Sequence, residues 1–384
     1  MVDIRDAIAR TAHQLVEDEV LALVGAPWSR KGDSPLRRNG RTTSPIYLDG
    51  QPCLLHRARV RDQDRGTEAP LRTLQALASR DALDLDVKRL LVRGVSTRSY
   101  DGALSHLAEG LGLRKSAVSS AFVRASQKDL DALNGRSLSE WTIAVMYIDG
   151  IAFADHTCVA VLGITTDGTK RILGVREGAT ENSELVKDML SSLQERGLTL
   201  TQRALFVLDG AKALRKAVRA IFGARALVQR CILHKLRNVL SYLPPKWEPE
   251  VRRRLNAAWS MNDPLEAHRA LLAALEWLRT INLAAAASLE EGFDETLTVH
   301  RLGVQGALRR TLVTTNPIES PFDVVRTHAR RVKRWSGGAM VMRWIGSGLL
   351  SAERRFRRVK GHRELPQLVA ALENVSLKQS KDVA

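Results

Sequence analysis

Two short phrases of the sequence place an aspartate and a glycine directly after an apolar run. The first is Ile148-Asp149-Gly150 and the second is Leu208-Asp209-Gly210. An acid at the end of a buried strand, followed by a glycine that lets the chain turn away, is presented at the edge of a sheet. If the two strands lie side by side, the carboxylates of Asp149 and Asp209 come close together and repel each other strongly.

A bound divalent cation removes this repulsion, and hard carboxylate oxygens favour Mg²⁺ or Mn²⁺. The two phrases therefore predict a metal site made by Asp149 and Asp209. The alternative is a pair of ordinary turns, because Asp-Gly is a common turn sequence. The matched placement after two apolar runs favours the metal site over the two turns.

A third carboxylate stands at a predicted helix start, Thr315-Asn316-Pro317-Ile318-Glu319. Asn316 at the N-cap, Pro317 at N1 and Glu319 at N3 form a good capping arrangement. This pattern alone favours a capping role for Glu319. Asp323, one helical turn further on, is the rival candidate for a third acid at the site.

Cys231 and His234 have the spacing of half a zinc site. Structural zinc takes four ligands, and no second Cys/His pair follows at a suitable distance along the chain. The sequence therefore argues against zinc at this position.

The elements that position these acids follow from the hydrophobic pattern. Three apolar runs, the last two joined by the turn sequence Thr166-Asp167-Gly168, predict an antiparallel meander. Two further runs alternate with helical patterns, so the order is β-β-β-α-β-α-β. This order predicts an α/β fold with a mixed sheet flanked by helices, in which the first and fourth strands can be neighbours. The pattern from 231 to about 312 is almost entirely helical.

Upstream, residues 96–127 show two helical patterns separated by Gly110 and Gly112, with Asp101 and Ser116 as caps. The second pattern leaves a polar, basic face outward, which is typical of a helix-turn-helix that reads DNA. Two routinely packed amphipathic helices are the alternative. The outward residues that we predict to bind DNA are Arg114, Lys115, Ser119 and Arg124.

The composition points to a nucleic-acid partner. The net charge is +17 and the pI is near 10.3, which favours a polyanion, although an Arg-rich protein of another kind is the alternative. Cys53, Cys158 and Cys231 are scattered, as expected in a reducing compartment. The N-terminus shows no signal-peptide pattern, and the longest apolar stretch is too polar to span a bilayer. We therefore expect a cytoplasmic protein with no membrane partner.

Several motifs together resemble the mutator-type transposases of bacterial insertion sequences. The resemblance covers nearly the whole chain and includes Gly94–Arg98 and the basic C-terminal phrases that begin at Lys333 and Arg354. The phrases that carry it occur in the family's order and are Tyr147-Ile148-Asp149-Gly150, Leu208-Asp209-Gly210, Gln229-Arg230-Cys231-Ile232-Leu233-His234-Lys235 and Thr315-Asn316-Pro317-Ile318-Glu319.

The resemblance implies an RNase H-like fold with an Asp-Asp-Glu triad, here Asp149, Asp209 and Glu319, and with an all-helical insertion before the last acid. Cys231 and His234 match a family signature that is not a zinc finger. The family also has a tryptophan in the insertion, and either Trp259 or Trp277 can correspond to it. Under this reading Glu319 both caps its helix and binds metal.

The resemblance also implies the reaction and the partners. Two Mg²⁺ (or Mn²⁺) ions held by the triad would serve hydrolysis at an element end and then strand transfer by the freed 3′-hydroxyl. The partners would be double-stranded DNA, as terminal inverted repeats and target, and further copies of the chain in a synaptic dimer or higher oligomer associated with the bacterial nucleoid. Further DNA-backbone contacts are predicted for Arg252, Arg253, Arg254, Arg330, Arg331, Lys333 and Arg334.

Five regions are expected. Residues 1–95 form a polar, partly disordered region, in which 27–41 is expected to be loop or disorder. Residues 96–140 form the helix-turn-helix-like region, 141–235 the first part of the RNase H-like core, 236–312 the helical insertion, and 313–384 the last part of the core with basic C-terminal helices.

Two other functions remain open at this point. The first is another RNase H-like nuclease, such as a junction resolvase, against which the long helical insertion and the separate N-terminal reader argue. The second is a non-enzymatic helix-turn-helix regulator, which leaves the three acids unexplained. Arg252, Arg253 and Arg254 also have an alternative, because a row of arginines can be a solvated helix face.

Overall fold

The computed structural model describes residues 4–27, 34–48, 51–78, 88, 115–153, 155–180, 182–330, 332 and 334–374. The chain divides into two compact units, Met1–Gln127 and Lys128–Ala384. Each unit combines helices with a β-sheet, so the α/β class predicted from the sequence is confirmed.

The first unit has a long helix and a small antiparallel sheet of strand order β1-β2-β3. The elements are α1 (Ile4–Val24), β1 (Leu36–Leu48), β2 (Gln51–Asp62), β3 (Thr67–Glu68) and α2 (Arg72–Leu77). Val16, Val20 and Val24 recur every four residues along α1, so they form one buried stripe. This stripe packs in one core with Ile46 and Val60 of the sheet.

Residues 1–95 were predicted to be polar and partly disordered, and the described part of this region contains two helices and a small sheet. Residues 27–41 were expected to be loop or disorder, yet β1 begins at Leu36. The strand has few large apolar side chains, and its pairing with β2 shifts register between Arg38 and Arg41. Because an irregularity of this kind breaks the alternation of a strand, the period of two was not visible in the sequence.

Helix α3 (Lys115–Gly135) corresponds to the second helix predicted for the helix-turn-helix-like region. It is longer than predicted, and its last turns place Leu133 in a core of the second unit, with Leu130 packed against that core. The second compact unit accordingly begins within this helix, at Lys128.

A five-stranded mixed sheet lies at the centre of the second unit. Its strands are β4 (Thr142–Phe153), β5 (His156–Thr165), β6 (Lys170–Glu177), β7 (Thr199–Leu208) and β8 (Ala226–Arg230). The strand order is β6-β5-β4-β7-β8. The pairs β4–β5 and β5–β6 are antiparallel, and β7 is parallel to both β4 and β8. The predicted strands and the pairing of the first with the fourth are confirmed.

Both faces of this sheet are buried. Alternation along β4 sends Met146 to one face and Tyr147 to the other. Helices α4 (Ser183–Glu195) and α5 (Lys212–Phe222) cover the face of Met146. Helices from the C-terminal part of the chain cover the face of Tyr147.

An all-helical segment follows β8, as predicted. Its helices are α6 (Ile232–Leu240), α7 (Glu248–Ser260), α8 (Pro264–Arg279), α9 (Leu283–Glu290), α10 (Thr298–Arg301) and α11 (Gly306–Leu312). The first four of them share an apolar core. Trp259 is buried in that core and donates from Nε1 to Thr296, whereas Trp277 is half-buried against Trp247.

The chain ends with α12 (Asn316–Ala329), α13 (Gly338–Glu353) and α14 (Leu365–Asn374). The C-terminal region was predicted to hold basic helices, but α13 is mostly buried and apolar. Gly348 of α13 packs so closely on α12 that an added Cβ would lie 2.8 Å from Cγ2 of Val325. Among the described helices, none has the length and apolar character needed to cross a bilayer.

Candidate active site

Asp149 lies one residue beyond the point where β4 and β7 stop pairing. Ile148 pairs with Leu208, and β4 then continues beside β5 alone, so the strand is longer than predicted. The Asp149 side chain is buried, with 8% exposure of the residue. Its Oδ1 accepts a 2.8 Å hydrogen bond from the backbone N–H of Gly150. This bond fixes one oxygen of the carboxylate.

Asp209 directly follows β7 and lies at the same edge of the sheet, because β4 and β7 are parallel. Its Oδ1 accepts a 2.8 Å hydrogen bond from the backbone N–H of Ala211. Gly210 has a φ of +113°, which is a conformation essentially restricted to glycine. The chain therefore turns away after the acid, as the Asp-Gly phrase predicted.

Glu319 lies in the first turn of α12 and is half-buried. Thr315, not Asn316, is the N-cap residue, and its carbonyl accepts from the N–H groups of Ile318 and Glu319. The Glu319 carboxylate accepts a 2.7 Å hydrogen bond from the Thr315 hydroxyl. The predicted N-cap is therefore displaced by one residue, from Asn316 to Thr315. The Glu319 carboxylate accepts its hydrogen bond from the Thr315 side chain, one helical turn earlier.

The charges of the other two acids act on Asp149. Burial, followed by the charge of Asp209, raises the pKa of Asp149 to about 7, and Glu319 adds to this effect. The Gly150 hydrogen bond and His234 act in the opposite direction. The rival acid, Asp323, is exposed and pairs with Arg326 at 2.8 Å. Glu319, rather than Asp323, therefore contributes to the electrostatic field at Asp149.

The acids do not form a ready-made metal cage. Across the described residues, no three His, Cys, Asp or Glu side chains form a group that could hold an ion. The donor chemistry nevertheless fits Mg²⁺ or Mn²⁺, because all three groups are carboxylates. Each is fixed through one oxygen, and a cation would relieve the repulsion that raises the pKa of Asp149.

Cys231 and His234 lie beside the acids without forming a zinc site. Cys231 is fully buried at the end of β8, and His234 follows in the first turn of α6. Their hydrogen bond raises the pKa of the His234 imidazole. Burial raises the pKa of the Cys231 thiol, but hydrogen bonds with His234 and Thr315 outweigh it and lower the pKa overall. Both side chains contact the hydroxyl of Thr315.

A buried cationic cluster braces the turn after Asp209, and the sequence analysis did not predict it. Arg230 is 4% exposed, and its Nη2 donates to the Gly210 carbonyl at 2.9 Å and to Glu291 at 2.7 Å. Lys235 is fully buried and donates to the carbonyls of Ser288 and Glu291. The available clue was two basic residues in an otherwise apolar strand–helix junction. The cluster ties the Asp209 turn to the helical segment.

The predicted DNA-binding arginines of α7 carry acidic partners. Arg252 pairs with Glu248 at 3.3 Å, and Arg253 and Arg254 pair with Glu250 at 2.7 and 2.6 Å. These side chains are partly or largely exposed, and the pairs lie along one helix. Two glutamates therefore offset part of the positive charge, as expected for a solvated helix face.

The other predicted DNA-binding residues are only partly described. Arg124, Arg330 and Arg334 are exposed. Lys115 and Ser119 lie in α3, but their side chains fall outside the description. The remaining predictions, which also lie outside the described residues, are Arg114, Arg331, Lys333 and the first helix of the helix-turn-helix-like region.

Comparison with known proteins gives a consistent family. The family model described as "Transposase, Mutator family" matches residues 3–358 of the chain. The chain is 30% identical over 292 residues to a transposase for insertion sequence element IS6120 from Mycolicibacterium smegmatis, covering 73% of this chain and 86% of that protein. It is 27% identical over 359 residues to a transposase for IS256 in transposon Tn4001 from Staphylococcus aureus, covering 90% and 89%.

Proposed function

We propose that this chain, which belongs to the Mutator family of transposases, is a DNA transposase that uses Asp149, Asp209 and Glu319 as a metal-binding catalytic triad. It would bind the ends of its insertion sequence, hydrolyse a phosphodiester at each end, and join the freed 3′-hydroxyl to target DNA. The relatives named above are transposases for insertion sequence elements, which supports this function.

One observation carries the proposal. Asp149 in β4 and Asp209 directly after the parallel neighbour β7 lie at one edge of the sheet, and a glutamate from a distant helix contributes to the field at the buried Asp149. Like charges brought together at a buried position cost stability unless a ligand compensates for them. A strongly perturbed carboxylate of this kind is typical of a functional site rather than of two ordinary turns.

The sheet topology supports an RNase H-like core. Numbered 1 to 5 along the chain from β4 to β8, the strands lie across the sheet in the order 3-2-1-4-5. Strands 1, 2 and 3 pair antiparallel, and strands 4 and 5 run parallel to strand 1. Asp149 lies on the central strand β4, and Asp209 directly follows the neighbouring strand β7. The helices between β8 and α12 would be the family's insertion between the second and third acids.

The residues at the site would act by holding and orienting the reacting oxygens. Divalent ions, when bound, lower the pKa of an attacking oxygen and stabilise a leaving oxygen. Asp149, Asp209 and Glu319 would hold them, and no covalent protein–DNA link is required. Tyr147, next to the site in sequence, is not positioned as a nucleophile, because it is fully buried and its hydroxyl donates to the Thr311 carbonyl at 3.4 Å.

The proposed partners are double-stranded DNA and further copies of the chain. The net charge of +17 supports a polyanionic partner. Residues upstream of the sheet would recognise the terminal repeats, and the exposed Arg330 and Arg334 near α12 would contact phosphates close to the cut. Two ends must be held together for transposition, so a dimer or higher oligomer is part of the proposal.

A strand-transfer assay with element-end DNA tests this function. With Mg²⁺, a transposase gives joined products as well as cleaved ends, and without Mg²⁺ it gives neither. A junction resolvase would cut branched DNA without joining ends. A non-enzymatic regulator would shift end DNA and leave it intact. Either of these last two results would contradict the proposed function.

A further inference from the structure

Thr315 lies between three side chains from two sequence motifs, Cys231 and His234 from one and Glu319 from the other. Its hydroxyl oxygen is 2.7 Å from Oε1 of Glu319, 3.3 Å from Nδ1 of His234 and 3.5 Å from Sγ of Cys231. Thr315 is fully buried and is the N-cap residue of α12. A single hydroxyl therefore connects the start of α6 with the candidate third acid.

Proton counting fixes the direction of these bonds. A threonine hydroxyl has one proton to donate and two lone pairs that accept, whereas an ionised carboxylate only accepts. The proton therefore goes to Glu319, which is also the shortest contact. His234 must then donate from Nδ1–H to the hydroxyl oxygen. Cys231 Sγ, at 3.5 Å, is only a weak competing acceptor for the same hydroxyl proton.

This arrangement gives Glu319 a defined orientation. The backbone of α12 fixes its Cα, but a glutamate side chain retains three torsions about which the carboxylate can rotate. The bond from Thr315 restrains Oε1, and donation from His234 to the hydroxyl oxygen directs the hydroxyl proton toward that carboxylate. Outer partners that orient a metal-binding carboxylate typically matter for both metal affinity and activity.

We infer that Thr315 is a positioning residue for Glu319, and that His234 sets the direction of its hydroxyl. The inference rests on the proposed function, because it assumes that the Glu319 carboxylate serves the metal site. It gives His234 of the Cys-x-x-His pair a task other than zinc binding.

The direct test compares Thr315→Val with Thr315→Ser in the full-length protein. Valine keeps the size and removes the donor, whereas serine keeps the donor. We expect Thr315→Val to lower the rate of end cleavage by about 10- to 100-fold, and to weaken Mn²⁺ binding measured by calorimetry without DNA by a similar factor. Thr315→Ser should stay within about threefold of the wild type in both. Affinity for end DNA should not change.

A second pair of variants tests the role of His234 without touching Thr315. Asparagine places an amide nitrogen as many bonds from Cβ as Nδ1, so His234→Asn can still donate to Thr315. His234→Gln places its amide one bond further away. We therefore expect His234→Asn to retain more cleavage and tighter Mn²⁺ binding than His234→Gln.

The outcomes separate this inference from the proposed function. If Glu319→Gln retains cleavage, the proposed function itself fails. If Glu319→Gln is inactive but Thr315→Val cleaves and binds Mn²⁺ like the wild type, the positioning role is wrong. If Thr315→Val does not fold, the His234 pair decides, and equal behaviour of its asparagine and glutamine variants overturns the inference.

Discussion

The turn after Asp209 offers a sharp test of how the site is held. Gly210 has a φ of +113°, and a Cβ built at this residue would lie 2.5 Å from both Nε and Nη2 of Arg230. Arg230 has little room to yield, because it is buried and bonds both the Gly210 carbonyl and Glu291. Gly210→Ala should therefore move the turn, and Asp209 with it.

The size of the effect follows from two contributions. A non-glycine residue in a sparsely populated backbone region costs on the order of 1–3 kcal/mol. Forcing an extra carbon into a packed site costs about 1–3 kcal/mol more. The melting temperature should fall by on the order of 10 °C for a unit of this size. A displacement of Asp209 by about 1 Å would lower cleavage by roughly 100-fold.

Gly223→Ala is a matched control within the same unit. Gly223 also has a positive φ, +53°, but its added Cβ would meet no atom within 4 Å. We expect this variant to lose on the order of 1–3 kcal/mol through backbone strain alone and to cleave normally. The assay is the rate of end cleavage at a temperature where both variants are folded, alongside thermal unfolding and end binding. If Gly210→Ala cleaves as fast as Gly223→Ala, Arg230 does not brace a catalytic turn.

Three further predictions concern the acids and the helical segment. Asp149→Asn, Asp209→Asn and Glu319→Gln should each abolish end cleavage while end binding persists, and wild-type cleavage by any one of them removes that residue from the triad. Because the folded pKa of Asp149 is raised from 3.8 to about 7, its ionisation lowers stability as pH rises through that window. Without divalent ions, Asp149→Asn should thus have a higher melting temperature than the wild type at pH 8, and this difference in melting temperature should shrink toward pH 4. An equal or lower melting temperature of the variant at pH 8 would contradict the raised pKa. Replacing Arg252, Arg253 and Arg254 together by alanine should change the free energy of unfolding by less than about 1 kcal/mol, since exposed ion pairs contribute little. The same variant should nevertheless have lower strand-transfer activity. Full joining activity would mean that these arginines form only a solvated helix face.

The acids on the sheet were predictable because each follows a buried strand whose apolar run is visible in the sequence. The parallel neighbours β4 and β7 then bring Asp149 and Asp209 to one edge without further information. Glu319 was identifiable only through the family resemblance, because its local sequence is equally that of a helix cap. Local pattern alone does not show which distant helix returns to a sheet edge.

The supporting residues were not predictable in the same way. Thr315 bonds side chains that lie more than 80 positions earlier in the chain, and Arg230 bonds Glu291 across the helical segment. Such contacts depend on tertiary packing, which leaves no periodic signature. In the first unit, the irregular pairing of β1 removed the alternation that would have marked it as a strand.

The most direct measurement is the anomalous scattering of Mn²⁺ in crystals of the full-length protein with element-end DNA. A metal-binding triad predicts Mn²⁺ in contact with carboxylate oxygens of Asp149 and Asp209, with Glu319 completing the site. The same crystals of Asp149→Asn should lose this signal. Well-ordered end DNA with Mn²⁺ absent from these carboxylates at saturating concentration, or bound only elsewhere, would contradict the proposed catalytic site.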